Sequence, residues 1–327
     1  EPEPEPAVRP GAENRVRPPV GVGHDGPMGW NLDLDLDGFA AGADTFLRSR
    51  AVEHSVQLTI LDTLRRRGAG AYGAARPVFG LWRPDAGGEV AAAVLQTPPH
   101  PPLITGAPPE AAATLPAAWA AAVASGTVGP PAGVRGEAAA ARAFADGWAA
   151  GTGQSVVVRR DTRFHRLAAL TPREPVPPGN ARVADARDRD LVWGWHQQYA
   201  VDVGGALPGG EQAVYDAIAH GGRTLWELPD GTPVAMAGST VPAAGAVRVV
   251  AVYTPRALRG RGYAGAVVTA VTRAALDAGA QEVLLVTDLS NPVSNGLYQK
   301  LGYVPVRDAV ELEFAPGGTA GTGPAAV

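Results

Sequence analysis

The sequence predicts an α+β fold, with helices and strands mixed in two halves of similar element order. Apolar residues recur at helical spacing in several segments, and short apolar runs joined by turn sequences indicate strand hairpins. A proline-rich segment near the middle of the chain separates the halves. Because the halves share an element order without repeating their residues, we predict an internal duplication.

The proline-rich segment, residues 172–180, contains four prolines and little apolar bulk, so we expect it to link two domains. The chain opens with alternating Glu and Pro, which favour an extended, solvated segment, and it ends in a run rich in Gly, Ala and Thr. The predicted organisation is a loosely packed segment over residues 1–38, a first domain over 39–171, the linker over 172–180, a second domain over 181–314 and a flexible tail over 315–327.

In the first half, Val56, Ile60 and Leu64 share one face of a predicted helix. Strands are expected on either side of the turn at residues 84–88. The predicted elements are a helix over 51–66, strands over 78–83, 89–96 and 103–105, helices over 109–124 and 137–150, and a strand within 156–170.

In the second half, Leu191, Trp195 and Tyr199 recur at helical spacing, and Pro229-Asp230-Gly231 is a hairpin turn sequence. Glycines close the other predicted helices. The predicted elements are helices over 188–200 and 211–220, strands over 224–228, 234–240 and 247–253, a helix over 263–278, a strand over 283–287, a helix over 292–301 and a strand over 304–314.

The composition of the 327 residues excludes several kinds of site. There are no cysteines, which excludes disulfides, thiolate nucleophiles and iron–sulfur clusters. The histidines show no metal-ligand spacing, so no metal site is predicted. A net charge of -4 argues against nucleic acid as the main partner. With no apolar run of membrane-spanning length and no signal segment, we expect no membrane association and a cytoplasmic location.

The most informative segment is the turn Arg259-Gly260-Arg261-Gly262-Tyr263-Ala264, which joins a buried strand to a long helix. Glycines let backbone N–H groups converge, and the start of a helix carries the positive end of its dipole. Both features suit an anion such as a pyrophosphate. The alternative is an ordinary glycine-rich turn with two solvated arginines.

The turn has the pattern Arg-x-x-Gly-x-Ala, and downstream Asn291, Asn295 and Tyr298 precede Gly302-Tyr303. In this order the two motifs resemble those of the GNAT superfamily of N-acetyltransferases, over about residues 181–314. The resemblance implies a mixed, mostly antiparallel central sheet flanked by helices. It also implies a tandem arrangement, in which the first half is a degenerate GNAT-like domain.

The resemblance implies an acetyl-CoA site. The amides of residues 261–264 would hold the pyrophosphate. The strand over 249–253 would diverge from the strand over 283–287, so that the pantetheine arm could pair with the free strand edge. A bulge often opens that gap in the family, although the sequence does not reveal one. The implied cofactor-binding residues are Val250, Ala251, Val252, Arg259, Gly260, Arg261, Gly262, Tyr263, Ala264, Asn291, Asn295 and Tyr298.

Tyr298 is the predicted general acid, because a phenol beside the thioester sulfur can donate a proton as the thiolate leaves. Its alternative role is core packing. The predicted base is less defined: Asp288, Glu227 and His196 are candidates. Each also has a structural alternative, as a turn cap, a solvated strand residue or an ordinary histidine. Proximity alone can supply much of the rate.

The acceptor side carries no motif. Tyr253 and Thr254, at the end of a strand, are candidates to face the acceptor, and structural roles are the alternative. The same two possibilities hold for Trp193, Trp195 and Trp226, which could line an apolar pocket. They also hold for Met236 and Ser239, on a strand that could border the acceptor.

The first half lacks the loop, since Gly106-Ala107-Pro108-Pro109 replaces it and the prolines remove two N–H donors. We therefore expect this half to cover the catalytic half rather than to bind coenzyme A. The predicted activity is acetyl transfer to a primary amine of a small molecule by a monomer or homodimer. The alternatives are a non-catalytic acyl-CoA sensor and a transferase that uses aminoacyl-tRNA.

Overall fold

A computed structural model describes residues 28–204 and 209–317. Within these ranges the strands are β1 (Gly29–Asn31), β2 (Val78–Arg83), β3 (Ala92–Gln96), β4 (Leu103–Thr105), β5 (Gly133–Glu137), β6 (Ser155–Leu167), β7 (Asn180–Val183), β8 (Arg223–Glu227), β9 (Pro233–Ser239), β10 (Ala246–Tyr253), β11 (Glu282–Asp288) and β12 (Tyr303–Ala315). The helices are α1 (Leu36–Ser49), α2 (Ser55–Arg67), α3 (Pro109–Ala124), α4 (Ala138–Thr152), α5 (Arg189–Val203), α6 (Gly210–Ala219), α7 (Tyr263–Asp277) and α8 (Pro292–Lys300). Short 3-10 turns lie at Ala69–Tyr72, Ala186–Asp188 and Arg256–Leu258.

The strands form one sheet in the order β1-β2-β3-β4-β5-β12-β6-β11-β10-β9-β8-β7. Only β4 with β5 and β10 with β11 are parallel, and each of these pairs is connected through a helix, α3 or α7. All other neighbours are antiparallel. The predicted mixed, mostly antiparallel sheet is therefore confirmed.

The two halves exchange strands at the centre of the sheet. Strand β6 belongs to the first half but lies between β12 and β11 of the second. Conversely, β12 belongs to the second half but pairs with β5 of the first. Local sequence patterns predict elements and not their partners, so this exchange was not foreseen. The boundary at residues 172–180 stays a prediction, because one sheet runs through both halves.

Side chains cross between the halves as well. Phe314, from the last strand, lies in the core formed by α3 and α4, with its ring centroid 6.4 Å from Phe144 and 6.2 Å from Trp148. Offset aromatic pairs at such distances are favourable beyond the area they bury. The packing of the first half thus depends on the end of the second.

Within the described residues, the last part of the segment 1–38 forms strand β1 and the start of α1. Strand β1 pairs with β2, Trp30 Nε1 donates to the carbonyl oxygen of Ala111 at 2.8 Å, and Leu32 is buried. The aromatic and aliphatic side chains after Gly29 supply the apolar area that the Glu-Pro repeats lack. Residues 1–27 and 318–327, and with them most of the predicted segment and tail, lie outside the described ranges.

Four elements were not predicted, namely β1, α1, β5 and β7. Helix α1 is amphipathic, with Phe39, Ala43 and Leu47 buried. Strand β5 has the composition Gly-Val-Arg-Gly-Glu, which carries little strand propensity. Its backbone pairs on both sides, with β4 and β12, so the tertiary context overrides its sequence.

Candidate active site

The central feature of the second half is a cleft between two parallel strands that part. Strands β10 and β11 pair only from Ala246–Glu282 to Arg248–Leu284. Beyond Arg248, the pairing of β10 with β9 is interrupted between Val250 and Tyr253, and Ala251 has a φ of 50°. A non-glycine residue in this left-handed region marks a bulge that redirects the strand. The divergence predicted from the resemblance is therefore present, and so is the bulge that the sequence did not reveal.

The cleft contains most of the residues predicted to bind the cofactor. Val250, Ala251 and Val252 line it from β10, the whole turn from Arg259 to Ala264 lines one end, and Asn291 and Tyr298 line it from α8. The exception is Asn295, which does not line the cleft. Its amide nitrogen donates to the carbonyl oxygens of Asp288 at 3.0 Å and Asn291 at 2.9 Å, so it holds the turn before α8.

The turn at the start of α7 forms a backbone cradle. Gly260 and Gly262 have φ values of 78° and 86°, a region that disfavours side chains with a Cβ. Ala266 makes the first helical bond, to the carbonyl oxygen of Gly262, so the amides of residues 263–265 have no helical acceptor. No side chain caps α7. Free amides at the positive end of a helix fit a pyrophosphate, which is the group that the resemblance requires here.

The arginines of this region are tied to an aspartate that the sequence analysis missed. Arg259 donates from Nε to the carbonyl oxygen of Thr254 at 3.0 Å and from its terminal nitrogen to Asp202. Arg256 bonds the same carboxylate at 2.5 Å. These bonds from Arg256 and then Arg259 lower the pKa of Asp202, so it stays ionised. Arg261 is held only by a long bond of 3.4 Å to the carbonyl oxygen of Ala257.

Tyr298 packs in the core and also reaches the cleft, so its position is compatible with both roles that the sequence left open. Its side chain is 8% exposed and packs in the core beside Tyr303, with ring centroids 6.3 Å apart, yet it also lines the cleft. Burial, followed by the nearby phenols of Tyr199 and Tyr303, raises the pKa of Tyr298 above its ordinary value. The phenol is therefore protonated at neutral pH.

Of the three candidate bases, the structure places only Asp288 at the cleft. Its Oδ1 accepts from the amide and hydroxyl of Ser290 at 2.7 and 2.6 Å, and its Oδ2 lies 3.9 Å from Arg160. Asp288 therefore caps the turn, as its structural alternative predicted, while it also faces the cleft.

Glu227 and His196 are not at the cleft, and we correct both predictions. Glu227 forms an ion pair with Arg182 at 2.8 Å on the far strands β7 and β8. His196 is buried in α5, where its Nε2 accepts from Arg223 Nε at 3.1 Å. Burial and then the charge of Arg223 lower the pKa of His196 to about 3. Both side chains are engaged by arginines, which their sequence neighbours do not reveal.

Some of the residues predicted to face the acceptor line the cleft, and the others do not. Tyr253 and Thr254 line the cleft, and the Tyr253 hydroxyl bonds Gln198 Oε1 at 2.6 Å. The other candidates pack in cores or pair within the sheet and do not line the cleft; they are Trp193, Trp195, Trp226, Met236 and Ser239.

The equivalent position in the first half is closed to an anion. Helix α3 begins at Pro109, with Pro108 as its N-cap. Proline has no N–H, so two donors are missing where α7 offers free amides. Only the second half presents a backbone cradle at this position.

Comparison with known proteins agrees with this geometry. Residues 189–303 match the model of the acetyltransferase (GNAT) family. These residues form a GNAT acyltransferase domain. The match spans the cradle, the divergent strands and Tyr298.

Solved structures show that the fold extends over both halves. A Drosophila malonogaster protein is 12% identical and covers 90% of this chain and 100% of its own, with a TM-score of 0.63. A GCN5-related N-acetyltransferase from Sphaerobacter thermophilus is 17% identical, covers 89% of this chain and 96% of its own, and has a TM-score of 0.55. A tandem GNAT protein from the clavulanic acid biosynthesis pathway is 13% identical, with a TM-score of 0.54. The match covers 89% of this chain and 100% of that protein. The tandem GNAT architecture predicted from the sequence is thus confirmed.

None of the curated proteins matches this chain. Among the helices of the described ranges, none has the length and apolar character that crossing a bilayer requires.

Proposed function

We propose that this protein transfers an acetyl group from acetyl-CoA to the primary amine of a small molecule. The observation that carries the proposal is the joint occurrence of a free backbone cradle at α7 and a parted pair of parallel strands leading from it to Tyr298. A site with only one of these features would not suit a ligand that is both doubly phosphorylated and extended.

The chain holds the cofactor by two kinds of backbone contact. The amides of residues 263–265 bind the pyrophosphate, and the unpaired edge of β10 after Arg248 binds the pantetheine arm as an added strand would. The side-chain oxygen of Asn291 accepts a hydrogen bond from the amide of Ser294 at 3.1 Å. This bond holds the start of α8 in place beside the pantetheine arm. Acetyl-CoA, when bound, supplies the acetyl group as a thioester with a thiolate as leaving group.

Tyr298 holds a proton at its hydroxyl group, and we assign it the role of general acid. Its raised pKa keeps that proton in place at the pH where amines react. Two carboxylates line the cleft within the described residues, and Asp202 is committed to Arg256 and Arg259. Asp288 is therefore the carboxylate available to take the proton that the amine loses.

The first half is proposed to have a structural role. It contributes β6 to the sheet beside β11 and has prolines where the cradle would be. Thr59 of α2 accepts from Arg248 at 3.1 Å, so the first half contacts β10 at the position where β10 and β11 part. We assign this half the role of covering the catalytic half.

The test of the proposal is cofactor binding to the full chain, measured by calorimetry and by thermal unfolding. Acetyl-CoA should bind and raise the melting temperature, because a ligand that binds only the folded state stabilises it. S-acetylpantetheine, which keeps the thioester arm but lacks the pyrophosphate together with the rest of the nucleotide, is the control ligand and should bind at least tenfold more weakly. Equal binding of both ligands, or none of acetyl-CoA, would overturn the proposal.

A further inference from the structure

Arg248 is a charged residue that the proposed chemistry does not use. It lies in an otherwise apolar strand, at the last position where β10 pairs with β11, and it lines the cleft at the point where the strands part. Its Nη1 donates to Thr59 Oγ1 at 3.1 Å, so the guanidinium group points toward the first half. Arg248 therefore lines the cleft where β10 and β11 part, and its guanidinium group contacts α2 of the first half.

Within residues 28–204 and 209–317, no carboxylate lies within ion-pair distance of Arg248. Its hydrogen-bond partner is a neutral hydroxyl group. Burial lowers the pKa of Arg248 to about 10, and the only group that opposes this is the phenol of Tyr72. The side chain is half-buried and lines the cleft, so a ligand in the cleft could supply the counter-charge that the described residues do not.

A second arginine reinforces the positive charge. Arg135, on β5, is near enough to lower the pKa of Arg248 further, and its Nε is buried without a hydrogen-bond partner. Its only nearby carboxylate is Glu311, its neighbour across the β5–β12 ladder, which forms no ion pair with it among the described residues. The charges of Arg248 and Arg135 both act to lower the pKa of the Tyr72 phenol, although burial raises it on balance.

We propose that Arg248, supported by Arg135, binds a carboxylate group of the substrate. This inference rests on the proposed acyl transfer and narrows its substrates. The acceptor is then an amino acid or another amine that carries a carboxylate, bound with its amino group toward the thioester end of the cleft. The same chemistry would also fit a carboxylate on the acyl group, as in a dicarboxylic acyl-CoA. Arginine suits this role because its planar group can donate two parallel hydrogen bonds to a carboxylate.

The experiment compares matched pairs of acceptors with acetyl-CoA as donor. The pairs are glycine with methylamine, L-alanine with ethylamine, L-leucine with isopentylamine and L-phenylalanine with phenethylamine. In at least one pair we expect kcat/KM for the amino acid to exceed that for the amine by tenfold or more. A charge-assisted hydrogen bond contributes about 1.5–3 kcal/mol, which corresponds to roughly 10- to 100-fold.

A donor arm distinguishes the two sources of the carboxylate. Succinyl-CoA is compared with acetyl-CoA, using methylamine as acceptor. A preference for succinyl-CoA, without a preference among acceptors, would place the carboxylate on the acyl group and support the subsite. The absence of a preference in both arms would overturn it.

The variant Arg248→Met tests the residue. It should lower kcat/KM for the carboxylate-bearing substrate 10- to 100-fold and leave the neutral partner nearly unchanged, while Arg248→Lys should recover part of the loss. Arg48→Met, on the exposed face of α1, is the matched control and should change neither. An equal loss for charged and neutral substrates would overturn the assignment.

Binding provides a readout that does not depend on turnover. N-acetylglycine and N-methylacetamide are titrated by calorimetry into the full chain saturated with coenzyme A, along with the other N-acetyl pairs. The carboxylate-bearing member of the responding pair should bind tenfold or more tightly, and Arg248→Met should remove that difference. Failure of coenzyme A itself to bind would refute the proposed function, whereas coenzyme A binding without a carboxylate preference would refute only this inference.

Discussion

Arg259 Nε donates to the backbone carbonyl oxygen of Thr254 at 3.0 Å, which ties the glycine-rich turn to the end of the strand that leads into it. The side chain is half exposed, and its remaining donors reach Asp202 at the end of α5. One arginine thus joins three elements around the end of the cleft that is proposed to bind the pyrophosphate. Arg259 and Arg256 share the single carboxylate of Asp202 there, so the group keeps a net positive charge.

Replacement of Arg259 by glutamate should weaken coenzyme A binding about tenfold or more. The substitution removes the bond to Thr254 and places a negative charge beside Asp202 and the pyrophosphate. The dissociation constant is measured by calorimetry, with Arg48→Glu on the distant helix α1 as control. An unaltered dissociation constant would mean that the pyrophosphate binds elsewhere.

Replacement of Gly262 by alanine should both destabilise the protein and weaken coenzyme A binding. The new Cβ would find space, since its nearest neighbour is Pro177 Cγ at 3.7 Å, but the φ of 86° is strained for alanine. A left-handed residue with a Cβ costs about 1–2 kcal/mol. The free energy of unfolding in urea and the dissociation constant are the measurements.

The control for that substitution is Gly194→Ala in the interior of α5. No atom lies within 4 Å of a Cβ built there, and the backbone is helical. Alanine should therefore stabilise the protein by about 0.5–1 kcal/mol without changing cofactor binding. If both variants respond alike, backbone conformation is not the reason for glycine at position 262.

Replacement of Tyr298 by phenylalanine should lower kcat tenfold or more, while the dissociation constant of acetyl-CoA changes less than threefold. The substitution removes the proton donor but keeps the ring that packs beside Tyr303. The measurements are steady-state kinetics and calorimetry. Unchanged turnover would assign Tyr298 to packing alone.

Tyr303→Phe is the matched control, because Tyr303 is also buried but does not line the cleft. It lies 2.6 Å from Thr272 Oγ1, and its loss leaves that buried hydroxyl without its partner. We expect a loss of about 1–3 kcal/mol in unfolding free energy and little change in kcat. The two tyrosines should thus separate chemistry from stability.

The stability of the protein should fall as the pH drops below about 6.5, partly because of His196. The folded state holds the pKa of His196 near 3, whereas the unfolded chain binds a proton at its ordinary value of 6.5. Protons therefore favour the unfolded state between these two values, at roughly 1 kcal/mol per pH unit. Above pH 6.5 this contribution to stability is fully present.

His196→Gln offers the test, since its amide oxygen can still accept from Arg223 but cannot titrate in this range. The free energy of unfolding is measured in urea at pH 7.5, 6.0 and 5.0. The variant should lose less stability than the wild type over this interval. Identical pH dependences would show that His196 is not the source.

Much of the fold could be predicted from local patterns. The apolar periodicity of α7 and the turn sequence between β8 and β9 were sufficient to predict these elements. The predicted bounds of β4 (Leu103–Thr105) and α3 (Pro109–Ala124) agree with the structure. Strand β5 could not be found in this way, since its glycines and charges acquire strand structure only from two neighbours. Strand β7 begins at the last residue of the predicted linker, and its four residues, Asn-Ala-Arg-Val, carry too little strand pattern to reveal the pairing with β8.

The residues of the candidate site also fall into those that a local sequence motif predicts and those that it does not. The cradle and Tyr298 follow a short motif, because the backbone conformation of a turn is decided by the residues within it. Asp202 and Arg248 carry no motif, although a lone arginine in an apolar strand was a signal that could have been followed. Glu227 and His196 were plausible as bases until their partners Arg182 and Arg223 were known.

The amino-acid sequence alone predicted the kind of elements, the glycine-rich turn at the start of α7 and the family of the second half, because each depends on residues that are neighbours along the chain. The tertiary structure decided the exchange of β6 and β12, the opening of the cleft at Arg248 and which of the candidate bases lines that cleft. These features depend on strand pairing and on charges brought together from distant positions. Local propensity contains no information about such partners.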